Sequence, residues 1–209
     1  MKSGSRFRSR PIASERTRLA ACALLALAGW SLGISNAKAA PEVFRIDPAT
    51  TRGEFVGHFW LSTLRGQFGR VHGTIVLDAD SHSGSIDFAV DASSVDTGWS
   101  VRDNFIRSEN MFDAVRFPTV RFRSKQLTFN DARLVGASGE LTLHNVTRPI
   151  AVKVERLECG PEPGSGRQGC GVAVVSSIKR SDFGMSFGLP FVGDNIDLSF
   201  HLTAFRVKP

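Results

Sequence analysis

The stretch that decides the fold runs from Ser94 to Phe122 and reads SVDTGWSVRDNFIRSENMFDAVRFPTVRF. Apolar or small residues recur at positions 101, 105, 108 and 112, which predicts a short helix near residues 100–112. Ser100 followed by Asp103 resembles an N-cap with an acid in the first turn, and Asp103 is placed to face Arg107 one turn on. Pro118 ends the helix, and the alternation after it predicts a strand. The stretch therefore predicts a helix inserted between two strands.

The segments on both sides of this insert alternate like half-buried strands and are separated by turn residues. Asp80–Gly84 and Asn130–Asp131 are the clearest turns. Many short strands with short connections favour an antiparallel barrel or sandwich over a βαβ fold. The predicted strands cover residues 44–47, 54–61, 65–78, 85–92, 119–129, 133–143, 149–157, 171–178 and 195–207.

The first 39 residues have the layout of a secretory signal peptide. An arginine-rich start precedes an apolar run over residues 19–34, and Ala37-Lys38-Ala39 supplies small residues for cleavage after Ala39. We therefore expect a signal peptide at 1–39, a working domain at 40–209, and a periplasmic location. The alternative is an uncleaved anchor, although a run of about sixteen residues is short for a membrane span.

The excess of positive charge lies in that leader. Residues 1–39 hold seven of the 26 Lys and Arg residues and one of the 20 Asp and Glu residues, so 19 of each sign remain in the expected mature domain. A domain with no net charge lacks the general electrostatic attraction that nucleic-acid-binding proteins show. We therefore expect no nucleic-acid partner.

Two cysteines remain in the expected mature domain. Cys159 and Cys170 flank the loop GPEPGSGRQG, and in an oxidising compartment such a pair predicts a disulfide across a hairpin. A loop of this length would gain about 2–3 kcal/mol from the cross-link. Zinc binding is the alternative, but no histidine is close by in the sequence to complete a ligand set.

The sequence contains few of the patterns that are typical of catalytic or metal-binding sites. The five histidines are far apart, so no metal site is predicted. The segment Gly98-Trp99-Ser100-Val101-Arg102 lacks the last glycine of a nucleophile elbow. We predict no catalytic residue and expect a protein that is not an enzyme; a hydrolase would need a polar dyad that forms only in space.

The densest polar motifs are Arg102, Asp103 and Arg107 near the helix, and Arg180-Ser181-Asp182 further on. They could bind a ligand head group or a partner at the mouth of a barrel. They could instead form structural ion pairs at helix and strand ends, and we favour this interpretation because each arginine has an acid close by in the sequence.

The opening stretch, with S-V-x-T-G, R-D-x-x-x-R-S, F-D and P-x-x-x-F in order, resembles the signature of the YceI-like family of lipocalin-like barrels that bind polyisoprenoid lipids. Glu54 departs from the family pattern, since a large apolar residue is usual four positions before His58. Further similar segments are His58 with Ser62–Phe68, Gly139–Leu143 with Val146–Pro149, Lys179–Met185 and Val192–Asp194.

The resemblance implies an all-β, antiparallel lipocalin-like β-barrel of about eight strands that carries a polyisoprenoid or isoprenoid quinone in an apolar tunnel. The bound lipid would be the ligand, with no further cofactor and no metal. Two alternatives stay open: a quinone-presenting accessory to a membrane cytochrome, and a hydrolase of a small amphipathic substrate. The expected partner is the isoprenoid lipid; a membrane cytochrome is a partner only under the first alternative, and homodimer formation is a further option.

The candidate ligand residues come from the motif segments and the apolar composition. The chain has 16 Phe and no Tyr, which suits an apolar interior, although phenylalanines can equally fill a core. Both faces of the run from Gly53 to Phe68 are apolar, and we favour the even-numbered face with His58 as inward. Phe105 and Phe112 would close one end, and Met185 would adapt to the tail. The predicted ligand-binding residues are Val56, His58, Trp60, Leu64, Phe68, Phe105, Phe112, Phe122, Phe183 and Met185.

Overall fold

The computed structural model describes residues 40–59, 62–78 and 80–207. The predicted signal peptide at 1–39 and the candidate Trp60 lie outside these residues. The described part contains eleven strands and one α-helix. They are β1 (Glu42–Ile46), β2 (Arg52–Phe59), β3 (Thr63–Phe68), β4 (Val71–Asp78), β5 (Ser83–Asp91), β6 (Val95–Asp96), α1 (Ser100–Arg107), β7 (Thr119–Asn130), β8 (Arg133–Leu143), β9 (Val146–Pro161), β10 (Gln168–Lys179) and β11 (Val192–Arg206).

The strands form a closed antiparallel barrel. Each of the first two wall strands is interrupted, so β1 with β2 forms one wall strand and β3 with β4 forms the next. The wall continues in chain order through β5, β7, β8, β9, β10 and β11, and β11 pairs with both β1 and β2 to close it. This confirms the predicted lipocalin-like barrel of eight wall strands.

The helix is shorter than predicted. It begins at Ser100 and ends at Arg107, where Ser108 turns into an extended conformation with φ −69° and ψ 170°. The predicted N-cap at Ser100 is wrong, because Trp99 is the N-cap residue; Asp103 does lie in the first turn, and its carboxylate accepts from Thr97 N at 2.8 Å. Hydrogen-bonded turns follow the helix, and one of them carries Phe112, whose N–H donates to Ile106 O at 3.0 Å.

Because neighbouring strands run antiparallel, their connections alternate between two ends of the barrel. We call one the helix end, formed by residues 92–118, 144–145 and 180–191. The other is the turn end, formed by residues 80–82, 131–132 and 162–167. Cys159 and Cys170 face each other across β9 and β10 near the turn end and form the predicted disulfide, with a sequence separation of 11.

The core lies inside the barrel and consists of the inward faces of the wall strands. Large side chains such as Phe44, Phe122 and Leu202 are buried there. The helix adds Ile106 from above, and Phe183 adds a fully buried ring beside the connection between β10 and β11. Among the described residues, no helix is long and apolar enough to cross a membrane.

Candidate functional site

The barrel encloses a cavity of about 370 Å³ whose wall is almost wholly apolar. Alternate residues of the wall strands point into it, which is the arrangement that lets a small barrel hold one elongated ligand. The wall includes Phe44, Phe55, Phe68, Phe88, Phe122, Phe200, Ile75, Ile196, Leu141, Leu198, Val172, Val174 and Leu202.

Glycines opposite phenylalanines shape this wall. Gly66 pairs with Phe55, and a Cβ at Gly66 would overlap the Phe55 ring. Gly53 pairs with Phe200, and a Cβ there would overlap the Phe200 ring. The missing side chains make room for the rings to lie against the wall.

The structure brings most of the predicted ligand residues to the cavity. Phe68 and Phe122 are buried in its wall, and Leu64 also lines it. The rings of Phe68 and Phe112 stack at 6.2 Å, so the turn after the helix reaches the cavity lining. Also on the lining are Phe105, Met185 and, at its border, His58.

Two predicted ligand residues lie elsewhere among the described ones. Phe183 is buried against the cluster of Phe122, Leu141 and Leu143 and is a core residue. Val56 lies on the outer surface of β2, in a shallow groove across several strands. Val56 therefore does not line the cavity, contrary to the face assigned from the sequence.

The inward face of β2 is the odd-numbered one, opposite to our prediction. Phe55 and Gly57 line the cavity, whereas Glu54 is exposed. In β3 the even-numbered Leu64 and Phe68 face inward. The prediction failed because it treated Gly53–Phe68 as one alternating run, although the chain turns between β2 and β3 and the alternation does not carry across a turn. The outward Glu54 explains how a charge is tolerated at that position.

The imidazole of His58 is engaged at the surface. Its Nε2 lies 3.0 Å from Asp197 Oδ2, and the two side chains are 51% and 56% exposed. The hydrogen bond from His58, followed by one from Ser177, lowers the pKa of Asp197. The structure therefore gives the His58 imidazole a partner on the outer wall.

The polar groups at the helix end bond mainly to backbone carbonyls and a threonine. Arg107 donates to the carbonyls of Ser93 and Val95, while Arg102 donates to Thr97 Oγ1 at 2.8 Å and to Thr97 O at 2.9 Å. The predicted pairing of Asp103 with Arg107 is wrong, since the Asp103 carboxylate bonds to Thr97. A structural role for these groups is supported, but their partners are not the acids adjacent in sequence.

Arg180 is almost fully buried and borders the cavity. It donates to Gly193 O at 2.9 Å, to Met185 O at 2.6 Å and to Val192 O at 2.9 Å. Burial lowers the pKa of Arg180, and the charge of Asp194 opposes that shift. The side chain thereby connects the two ends of the loop that runs from Met185 to Gly193.

The cavity also contains residues that we did not nominate from the sequence. Ile196, Leu198 and Phe200 of β11 supply a large part of its wall. Their alternation is visible in the sequence and could have identified them, because the last strand of a closed barrel must turn its apolar face inward. Phe44 and Phe88 belong to the same group and face inward from β1 and β5.

We next examined the described residues for a metal-binding group and the cavity border for a free hydroxyl. Over residues 40–59, 62–78 and 80–207, no three His, Cys, Asp or Glu side chains are grouped so that they could hold a metal ion. Ser176 borders the cavity, and its hydroxyl donates to Ala151 O at 2.8 Å.

A model of the YceI-like domain matches residues 44–204 of this chain, which span the closed barrel. The chain belongs to the YceI-like family. Among YceI-like relatives, a UPF0312 protein of Vibrio cholerae is 29% identical over 148 residues, which cover 70% of this chain and 77% of the relative. A UPF0312 protein of Pseudomonas fluorescens is 31% identical over 159 residues, which cover 73% and 80%.

Solved structures show the same fold as this YceI-like chain. Burkholderia cenocepacia BcnA superposes with a TM-score of 0.61 at 22% identity, covering 76% of this chain and 98% of BcnA. A polyisoprenoid-binding domain from Saccharophagus degradans superposes with a TM-score of 0.59 at 19% identity, covering 78% and 98%. At these identities the likeness shows the fold alone.

Proposed function

We propose that this protein is a periplasmic carrier that holds one long isoprenoid lipid, a polyprenyl chain or an isoprenoid quinone, inside its barrel. The observation that carries the proposal is the cavity of about 370 Å³ with an almost wholly apolar wall. Moving an apolar tail from water into such a cavity releases about 25 cal/mol per Å² of buried surface. The family also supports the proposal, because the related Saccharophagus degradans domain is described as polyisoprenoid-binding.

Binding, not catalysis, is the activity that the cavity favours. The polar groups at its border already have partners within the protein: Arg180 bonds to three carbonyls, Arg102 to Thr97, and Ser176 to Ala151. A hydrolase would need a nucleophile and a base within reach of one another. On this proposal the lipid is recovered chemically unchanged after incubation with the protein.

The periplasmic location rests on the signal-peptide pattern at residues 1–39, and the Cys159–Cys170 disulfide supports it because such bonds persist in oxidising compartments. The intact mass of the exported protein should correspond to an N-terminus at Ala40. A full-length chain recovered from the cytosol would contradict the location. Presentation of a quinone to a membrane cytochrome and homodimer formation stay predictions.

Two neighbouring valines of β10 offer a matched test of the cavity. Val174 lines it, and Val175 faces the outer groove on the opposite side of the same strand. In Val174→Trp the indole occupies space that the ligand needs, whereas in Val175→Trp it lies outside the barrel. We expect delipidated wild-type protein and Val175→Trp to bind a long-chain polyprenol or ubiquinone in titration, and Val174→Trp to bind at least about tenfold more weakly.

Far-UV circular dichroism and thermal melting would check that both valine variants are folded. Equal binding by the two folded variants would place the ligand outside the cavity and contradict the proposal. Binding that both variants lose while remaining folded would also contradict it, because Val175 lies on the outer wall.

A further inference from the structure

The exposed apolar residues of this protein are concentrated at the helix end. In the described part of the chain, Trp99 is 57% exposed, Val101 64%, Phe187 54% and Phe191 70%, and Phe105 is also exposed. We call these five residues the aromatic rim. Val115, in the loop after the helix, is exposed at the same end. At the turn end of the wall, Val43 and Val207 are exposed to lesser degrees, 36% and 40%.

The aromatic rim is continuous with the mouth of the cavity. Phe105 of α1 and Phe187 of the loop between β10 and β11 touch edge to face, with ring centroids 4.9 Å apart. Both rings also line the cavity, as does Arg102 one turn before Phe105. The exposed rings of Phe105 and Phe187 are therefore continuous with the apolar lining of the cavity.

Hydrogen bonds hold the two segments that carry the aromatic rim. Arg180 bonds to carbonyls at both bases of the loop that carries Phe187 and Phe191, and within that loop Val192 N donates to Gly188 O at 2.8 Å. On the other side of the mouth, the buried Asp103 ties the first turn of α1 to Thr97. Exposed apolar patches of this kind mark sites where a protein meets a membrane, another protein or a ligand.

The chemistry of the aromatic rim fits a phospholipid bilayer. Tryptophan and phenylalanine side chains at one edge, with arginine beside them, are the residues that anchor proteins at the boundary between acyl chains and head groups. The Arg102 guanidinium lies over the Trp99 ring at 5.5 Å and donates to Thr97, and no carboxylate of the described residues forms an ion pair with it. A lipid phosphate complements that charge.

We propose that the aromatic rim docks on the surface of a phospholipid bilayer, so that the cavity mouth faces the lipid. Docking of this kind needs the exposed rim and does not depend on which molecule occupies the cavity, so it goes beyond the proposed carrier function. In the docked state an apolar ligand passes between bilayer and cavity without crossing water.

The test uses vesicles of phosphatidylcholine and phosphatidylethanolamine and measures co-flotation of the purified protein. The rim variant is the double substitution Trp99→Ser with Phe191→Ser, since neither residue lines the cavity and serine is a favourable N-cap at position 99. The matched control is Val43→Ser with Val207→Ser at the turn end. All proteins carry the same N-terminus, verified by intact mass, so that differences report the substitutions alone.

We expect the wild-type protein and the turn-end control to float with the vesicles and the rim variant to partition at least about tenfold less. Equal flotation of the rim variant and the wild type would overturn the docking proposal, as would a wild-type protein that stays in solution. A dimer that forms through the rim, lost in the rim variant without any vesicle binding, would overturn it as well.

Ligand occupancy, measured by native mass spectrometry after loading from detergent micelles, separates this proposal from the carrier function. Occupancy should be the same in the wild type and the rim variant, because the cavity wall is unchanged. Occupied protein that does not dock contradicts docking alone, and docked protein that never takes up ligand contradicts the carrier function alone.

Discussion

The two ends of the barrel are built differently. At the turn end, short polar turns such as Asp80–His82 and Asn130–Asp131 join the strands, and the Cys159–Cys170 disulfide cross-links β9 to β10. At the helix end, the two long connections 92–118 and 180–191 carry α1 and exposed aromatic rings around the mouth of the cavity. The comparison shows that the covalent cross-link and the exposed aromatic rings lie at opposite ends of one wall.

The largest expected effect comes from removing the buried clamp at the helix end. Arg180→Met leaves the carbonyls of Met185, Val192 and Gly193 without their donor. We expect it to lower the free energy of unfolding by roughly 3–5 kcal/mol. Urea denaturation followed by circular dichroism would measure the loss.

The control for that variant lies at the turn end. Arg167→Met removes a guanidinium that lies over the Phe205 ring at 3.6 Å and pairs with Glu162 at 3.4 Å, on an exposed loop. It should cost less than about 1 kcal/mol. Similar losses in the two variants would mean that the helix end does not depend on its buried arginine.

Removal of the disulfide should have the next largest effect and should act mainly on stability, because Cys170 borders the cavity near the turn end, away from its mouth. The double substitution Cys159→Ser with Cys170→Ser frees a loop with a sequence separation of 11, and the chain-entropy estimate gives a loss of about 2–3 kcal/mol. Denaturation would measure the loss, and a lipid titration on the same folded protein would check that the helix end still admits ligand. A variant that keeps its stability but loses its ligand would reverse the roles we assign to the two ends.

A smaller effect is expected from the wall near the helix end. Gly66→Ala places a methyl group where the Phe55 ring lies and must displace that ring. We expect a loss of about 1–3 kcal/mol together with weaker lipid binding. Gly160→Ala in β9 is the control, since nothing lies within 4 Å of the added Cβ, and its thermal midpoint should match the wild type. Equal thermal midpoints and equal lipid binding for the two variants would contradict the claim that Gly66 makes room for the Phe55 ring.

The smallest effect concerns the outer wall between the two ends. A hydrogen bond from Arg121 lowers the pKa of Asp87. The carboxylate therefore contributes stability above its unfolded pKa, near 3.8, and this contribution is lost as the pH falls through the lower folded pKa. Thermal midpoints of the wild type and Asp87→Asn should differ slightly at neutral pH and converge below pH 3.8. A difference between the two thermal midpoints that grows as the pH falls would contradict the lowered pKa of Asp87.

Much of the fold could be predicted from the sequence because alternation and turn chemistry are local signals. The turn at Asn130–Asp131, the long alternating strand from Val192 to Arg206 and the disulfide pair all appear in the structure. The helical spacing after Ser100 also located the helix insert. What these signals have in common is that each needs only neighbouring residues to be read.

The site was harder to predict because it depends on which face of each strand turns inward. Within β2 the odd-numbered Phe55 faces inward and the even-numbered face carries Glu54 and His58, and the prediction erred because it read Val56 in one alternation with the apolar residues of β3. Phe183 fills the core whereas Phe200 lines the cavity, and composition does not separate the two roles. The partners of Arg180 are carbonyls that come together only when the loop between β10 and β11 folds.

The central claim is that the barrel holds one long isoprenoid lipid, and native mass spectrometry of gently purified wild-type protein tests it most directly. The account predicts a protein peak that carries one ligand per chain, which solvent extraction then identifies as a polyprenyl or quinone lipid. A protein that is ligand-free under these conditions and that binds neither a polyprenol nor a quinone in titration would contradict the account.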